Sequence, residues 1–420
     1  MSETNCLAPL GVVARFHTGW TPPTTDSRNF NGGLAWANIS DIASQKVMST
    51  AKAISEKALR EQPNARLAHP GDVLFPFKLS LGASGIAGIP MYTNEAIATF
   101  PVADNPNFEP RYLYYVLPVF VPRNAAINIY GAPLLSSERI RSARIPMPSL
   151  QRQRAVADYL DRETTEIDGM RADLDEMERL LTERRSAVIE RLLLGESTPD
   201  LENLPRGWKK TTVGALFSLH NGDRGINYPS PEEIMETGIP FINAGDLASG
   251  SINLETCKRI SADKYAAMGG AKLQRNDLLF CLRGSLGKWG LVDFDGGALA
   301  SSLCALRLER LDLADVKYIA HTMSTRVFAL QIWLSESGSA QPNLGAEQVG
   351  RFRIPLPPLA EQRRIADEID RETAEIDSML SDITKLRDLL AERRIALISA
   401  AVTGQIDIPV SPTDKDEVHA

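Results

Sequence analysis

Residues able to do chemistry gather most densely in Leu282-Arg-Gly-Ser-Leu-Gly-Lys-Trp289, where Arg283, Ser285 and Lys288 share one short turn with two glycines. Glycine lets a backbone approach a phosphate closely, and a neighbouring arginine or lysine can pair with that phosphate or read the edge of a guanine. A related run in the first half, Leu79-Ser-Leu-Gly82, offers Lys78, Ser80 and Ser84. Both runs have a plainer explanation: a tight turn in a sheet with its charges solvated. Two cations and a hydroxyl converging on one turn favour the anion-binding reading at Arg283 and Lys288; at Lys78 nothing separates the two. Two loops add candidates, Arg224 and Asn227 in Asn221-Gly-Asp-Arg-Gly-Ile-Asn-Tyr228, and Arg15 and Arg28 on either side of Gly19-Trp-Thr-Pro22. Loops carry recognition, although most loop arginines only keep a surface solvated.

Catalytic patterns are absent. Asn105-Pro-Asn-Phe108 resembles the Asn-Pro-Pro-Phe/Tyr motif of adenine methyltransferases, but Asn107 stands at its third place and no Phe-x-Gly-x-Gly loop accompanies it, so it reads as a turn. Gly284-Ser-Leu-Gly-Lys288 is no phosphate-binding P-loop, because Leu282 and Trp289 occupy the positions of its first glycine and its hydroxyl. His17 has no acid and nucleophile in a recognisable pattern. The four cysteines show no Cys-x-x-Cys spacing, which fits reduced thiols in a cytoplasm, and no metal set is evident. The chain is read as a non-enzyme that binds no cofactor itself.

What must position these residues is a repeated segment. IPMPSLQRQRAVADYLDRETTEIDGM begins at Ile145 and IPLPPLAEQRRIADEIDRETAEIDSM at Ile354, and the match runs without a gap to Gly195 and Gly404 at a constant offset of 209. Shared landmarks are Gln153/Gln362, the Asp-Arg-Glu-Thr runs at Asp161 and Asp370, and the Glu-Arg-Arg runs at Glu183 and Glu392. Prolines before and a glycine after are helix punctuation. Apolar residues step by four and three through Val156, Leu160, Ile167, Met170, Leu174, Met177, Leu181 and Val188, and through Ile365, Ile369, Ile376, Met379, Ile383, Leu386, Leu390 and Leu397. That pattern predicts two coiled-coil helices, each about 65 Å long at ~1.5 Å per residue. Glu163 and Arg184 interrupt the first seam, and Glu372 and Arg393 interrupt the second at the same steps. An antiparallel pair in one register would bring Glu163 onto Arg393 and Arg184 onto Glu372, with Met177 opposite Met379. The plainer alternative is that all four side chains reach solvent.

The regions before each repeat are themselves related, at an offset of 205. Leu34–Ile42 matches Ile239–Leu247, and Pro70-Gly-Asp-Val-Leu-Phe75 matches Arg275-Asn-Asp-Leu-Leu-Phe280. Short β-rich runs punctuated by glycine predict α/β domains with a curved sheet or barrel. The expected organisation is therefore α+β and pseudo-twofold: globular domains at 1–144 and 201–353, helical regions at 145–200 and 354–404 forming an antiparallel coiled coil, and an acidic tail at 405–420. Net charge is −7, distributed as +3, −5, +1, −3 and −3 over residues 1–144, 145–200, 201–353, 354–404 and 405–420. The globular halves are slightly basic, which permits nucleic-acid binding. The stretch Tyr112–Val121 is too short to span a bilayer, and MSETNC has neither the basic nor the apolar region of a signal peptide, so a cytoplasmic protein is expected.

These features together resemble the specificity subunit of Type I restriction-modification systems. The resemblance is carried by the doubled Ile-Pro-x-Pro…Gln-Arg…Asp motif, by Leu204-Pro-Arg-Gly-Trp208, and by the Gly-Asp-Val-Leu-Phe75 and Asn-Asp-Leu-Leu-Phe280 runs, and it covers nearly the whole chain. It implies two target recognition domains, each reading one half of a bipartite DNA site, and two helices serving as ruler and docking surface. It further implies two methyltransferase subunits as partners, joined by ATP-dependent restriction subunits. S-adenosylmethionine, ATP and magnesium would be used by those partners, and each methyltransferase would flip and methylate an adenine. Two other classes stay open at this stage: a scaffold that holds two protein partners without DNA, and a self-contained enzyme, against which the missing motifs speak. One departure from the family is visible. The first half has no counterpart of Leu204–Trp208 and starts almost at once with Leu10-Gly-Val-Val-Ala-Arg15, which puts its N-terminal strand in question.

Overall fold

The computed structural model describes residues 7–42, 45–78, 83–127, 133–194, 201, 204–248, 250–336 and 343–410. The chain divides into two compact units, one made of Met1–Leu174 with Lys385–Ala420 and the other of Asp175–Thr384. Four helices matter for function: α1 (Pro110–Phe120), α2 (Leu150–Leu194), α3 (Val316–Thr322) and α4 (Leu359–Val402). The two repeated segments thus form helices of 45 and 44 residues, and each unit takes a portion of both.

In the first unit, Leu7–Pro9 pairs antiparallel with Arg144–Pro146 immediately before α2. The first half therefore does have the N-terminal strand that its counterpart in the second unit has. A five-stranded sheet centres on Val73–Pro76 and Ile97–Phe100, and all eight of those residues are buried. Such continuous apolar runs are what strands covered on both faces require. A second sheet orders Lys52–Ile54, Phe30–Ala37 and Tyr92–Thr93. The apolar run at Tyr112 is α1, buried on almost every side, with Pro110 in its first turn. The core joins Leu10, Phe75, Phe100 and Leu117 to Val156 and Leu160 of α2 and to Ala401 and Val402 of α4. The C-terminal end of α4 is therefore part of the first half's core.

The second unit repeats the plan. Lys209–Thr212 pairs antiparallel with Arg353–Leu356 before α4. A four-stranded antiparallel sheet runs Phe217–Asn221, Leu303–Leu308, Leu278–Cys281, Trp289–Leu291. A three-stranded sheet of Lys258–Ile260, Ile239–Ile242 and Ala298–Leu299 has the same antiparallel-then-parallel pairing as its counterpart in the first unit. Here the core gathers Ile189 and Leu193 of α2, Tyr318 and Ile319 of α3, and Ile365 and Ile369 of α4.

Within the second unit the helices run antiparallel. Arg185 Nε lies 2.6 Å from Asp377 Oδ1 and Arg191 Nη2 lies 2.6 Å from Glu372 Oε2, so numbers rise on one helix as they fall on the other. The register expected from the seam is corrected by these pairs. Glu372 meets Arg191, about two helical turns beyond Arg184, and Arg184 is exposed. In the first unit Arg394 Nε, rather than Arg393, faces an acid on α2, with Asp168 Oδ1 at 3.4 Å. Glu163 lies 3.5 Å from its neighbour Arg162, and Arg393 is exposed. Exposed ion pairs contribute only ~0–1 kcal/mol, too little to choose a register against the buried contacts of Ile167, Ile376 and Ile383. The seam is also narrower than its heptads suggest, since Met177 and Met379 remain 50% and 44% exposed.

Candidate nucleic-acid interface

Each globular half is seated on the helices by the same set of contacts. Gln153 and Gln362, both fully buried, occupy equivalent places near the starts of α2 and α4. The Gln153 carbonyl accepts from the Glu109 backbone N–H at 2.9 Å, and its amide donates to the carbonyls of Asn107 and Pro148. Gln362 accepts from the Asp315 N–H at 2.9 Å and donates to Leu313 and Pro357. Glu109 and Asp315 are the N-cap residues of α1 and α3, so each glutamine ties a long helix to the start of a domain helix. Tyr112 and Tyr318 donate to the carbonyls of Pro146 and Pro355 at 3.3 and 3.2 Å.

The first residue of each Asp-Arg-Glu-Thr run completes the seat. Asp161 accepts from Tyr115 at 2.7 Å, Arg111 at 2.9 Å and Gln45 at 2.9 Å. Asp370 accepts from Lys317 at 2.8 Å, and its Oδ1 lies 2.9 Å from His321 Nε2. Burial opposes the charge on Asp370, yet the bonds from Lys317 and His321 hold its carboxyl below the usual range. Thr164 and Thr373 close the pattern by bonding back to the carbonyls of Leu160 and Ile369. The first and last residues of these runs thus have the same internal use in both copies. Only the duplication at an offset of 209 pointed to it in the sequence; that Arg111, Tyr115, Lys317 and His321 would face the two aspartates had no local signal.

Among the candidate contact residues, the turn Leu282–Trp289 is the most completely assembled. Gly284 and Gly287 both have φ +79°, a conformation that favours glycine. Arg283 is exposed and its Nε donates to Asn343 Oδ1 at 3.1 Å, which ties the turn to the segment at 343. Ser285 and Lys288 are exposed, and Lys288 stands at a cleft of ≈ 1090 Å³ bordered also by Arg185, Trp289, Lys317, His321 and Asp370. In the neighbouring loop, buried Asp223 accepts from the N–H groups of Gly225 and Gly269 at 2.6 and 2.9 Å. Arg224 is exposed and reaches the Ser301 carbonyl at 3.4 Å; the Asn227 amide is committed to Ala267 at 2.9 Å.

The first half is less convergent. Lys78 is exposed, with Nζ 6.0 Å from the centre of the Phe77 ring. The Ser84 hydroxyl donates to the Tyr114 carbonyl at 2.6 Å, which gives it a structural use. Ser80 lies outside the described residues. Arg28 is held by both carboxylate oxygens of Asp26, with Lys57 on the same acid at 2.7 Å, while the exposed Arg15 borders Asn105. Asn105 is buried and binds the Arg15 backbone and the Pro101 carbonyl, so Asn105-Pro-Asn-Phe108 is a structural turn. Among the described residues no group of histidine, cysteine or acidic side chains could hold a metal ion, and no helix is long and apolar enough to cross a membrane.

A doubled recognition fold on paired helices defines a class that comparison makes specific. The family model described as the Type I restriction modification DNA specificity domain matches residues 8–179 and again 205–385. The chain belongs to that family, whose domain confers DNA specificity and is not a catalytic one. It is 21% identical over 416 residues to the Type I restriction enzyme EcoBI specificity subunit of Escherichia coli, covering 94% of this chain and 85% of that one. It is 24% identical over 211 residues to the EcoKI specificity subunit of Escherichia coli strain K12, covering 48% and 44%. A solved chain from work on complex assembly and conformational transition of the type I R-M system shares the fold, with a TM-score of 0.62 at 17% identity over 96% of this chain and 98% of that one.

Proposed function

We propose that this chain reads a two-part DNA sequence, one part with each globular half, and brings two methyltransferase subunits and, where present, restriction subunits to it. The observation that carries the reading is the duplication of the seat, in which Gln153, Tyr112 and Asp161 correspond to Gln362, Tyr318 and Asp370 in two halves that both match the family model. Two equivalent seats present two recognition surfaces and two equivalent helix faces, which fits two copies of one partner. The cations of Leu282–Trp289 would contact phosphate or guanine in the second half-site. S-adenosylmethionine, ATP and magnesium would serve the partner subunits, in a cytoplasm where the thiols stay reduced. Co-expression with the methyltransferase subunit of the same system, followed by methylation mapping, tests this. Adenine methylation at a two-part motif with a fixed gap, lost without this chain, is expected; a stable complex that adds no methylation would overturn it.

A further inference from the structure

The two seats are the same in plan; Lys317 stands where the first has Arg111, Gln45 bonds Asp161 alone, and one difference bears on protons. Tyr115 and His321 hold equivalent places on α1 and α3, and each bonds the aspartate of its repeat. Burial keeps the Tyr115 phenol well above its usual range, so the first seat has no proton to gain near neutral pH. His321 is a different group in the same position.

We propose that Asp161 and Asp370 are positioning residues, each seating one recognition half on the helices, and that His321 makes the second seat alone releasable by mild acid. The imidazole is nearly buried, with Nε2 spent on Asp370 and Nδ1 buried without a partner. When Nε2 carries the hydrogen it donates to Asp370, and Nδ1 is a bare acceptor. A second proton would then sit on Nδ1 as a buried donor with nothing to receive it, which is costly. The charges around the ring come from every element packed against it. Asp370 and Asp377 stand on α4, Arg185 on α2, Lys317 one turn earlier on α3, and Lys288 on the recognition turn, all bordering the same cleft. Both acids are engaged, Asp370 by Lys317 and Asp377 by Arg185. Burial pushes the His321 imidazole below the usual histidine value, and Arg185 and Lys317 add to that, against the pull of Asp370. His321 itself borders the cleft.

The recognition part of this proposal rests on the function proposed above, so the deciding measurement reads the seats without DNA. Hydrogen exchange of the full-length chain is followed from about pH 8 to about pH 5, the interval in which histidines titrate, with intrinsic rates corrected. Protection of the α3 amides is expected to fall below about pH 6.5 by up to tenfold per pH unit, the limit for one proton, while α1 amides stay level. His321→Tyr should flatten the α3 profile, and Tyr115→His should transfer the acid loss to α1. Equal profiles in α1 and α3, or an α3 profile unchanged in His321→Tyr, would overturn the proposal. Should His321→Tyr fail to fold, Tyr115→His decides alone, and an α1 profile that stays flat there counts against it. DNA binding is then measured over the same interval with each half-site scrambled in turn. Acid loss confined to the second half-site is expected; acid loss equal at both would remove the positioning role. No binding at any pH would sink the functional reading and leave the exchange result standing.

Discussion

His321 Nε2 lies 2.9 Å from Asp370 Oδ1, in the place where Tyr115 donates to Asp161 Oδ1 at 2.7 Å in the first half. One pair holds an imidazole with an unpartnered ring nitrogen and the other a phenol that already carries its proton, although both close the same seat. Duplication preserved the geometry while the two halves diverged in chemistry.

Acid stability should follow from this pair. The folded state lowers the affinity of His321 for a proton, so the unfolded chain binds more protons as pH falls. The contribution of His321 is therefore complete above about pH 6.5, the unfolded value, and is lost as pH falls through it toward the folded value. Denaturant midpoints of the second unit should drop over that window, and His321→Tyr should remove the drop.

The glutamine clamps should matter more than their polar character suggests. Replacing Gln362 by leucine removes the partner of the Asp315 N–H and of the Leu313 and Pro357 carbonyls, the last of them buried. A loss of about 2–4 kcal/mol is expected. Chemical denaturation with a probe in each unit checks it: Gln362→Leu should weaken the second unit, and Gln153→Leu the first.

Along the helices the observed ion pairs, not the sequence-predicted ones, should carry what small effect there is. Arg184→Ala and Arg393→Ala should shift stability by less than about 0.5 kcal/mol. Arg185→Ala and Asp377→Ala should each cost up to about 1 kcal/mol, and a double-mutant cycle on that pair should show coupling.

At the turn Leu282–Trp289, Arg283→Ala and Lys288→Ala should weaken binding to DNA that carries the second half-site. For each cation that pairs with a phosphate, its removal should reduce the slope of log affinity against log salt by about 1. Titration at several salt concentrations reads this directly, and unchanged affinity and slope would remove the turn from the interface.

Much of the architecture was legible in the order of residues alone. Prolines announced the start of both long helices, apolar steps of four and three marked the part of their inner face that Leu160, Ile167, Ile369 and Ile376 occupy, and the offset of 209 revealed the duplication, because these are local consequences of helix geometry. The turn Leu282–Trp289 stood out as a candidate for a similar reason, since two cations and two glycines lie within eight residues. Tertiary structure decided the rest. Glu372 reached Arg191 and not Arg184 because buried contacts outweigh exposed charges when two helices choose a register. Ser84 and Asn227, plausible contacts by type, were taken by backbone carbonyls that needed donors. Tyr115 and His321 came to face Asp161 and Asp370 across dozens of intervening residues, a meeting that depends on how α1 and α3 pack on the long helices. Sequence spacing carries local geometry; partners that meet only through packing are decided when the core closes.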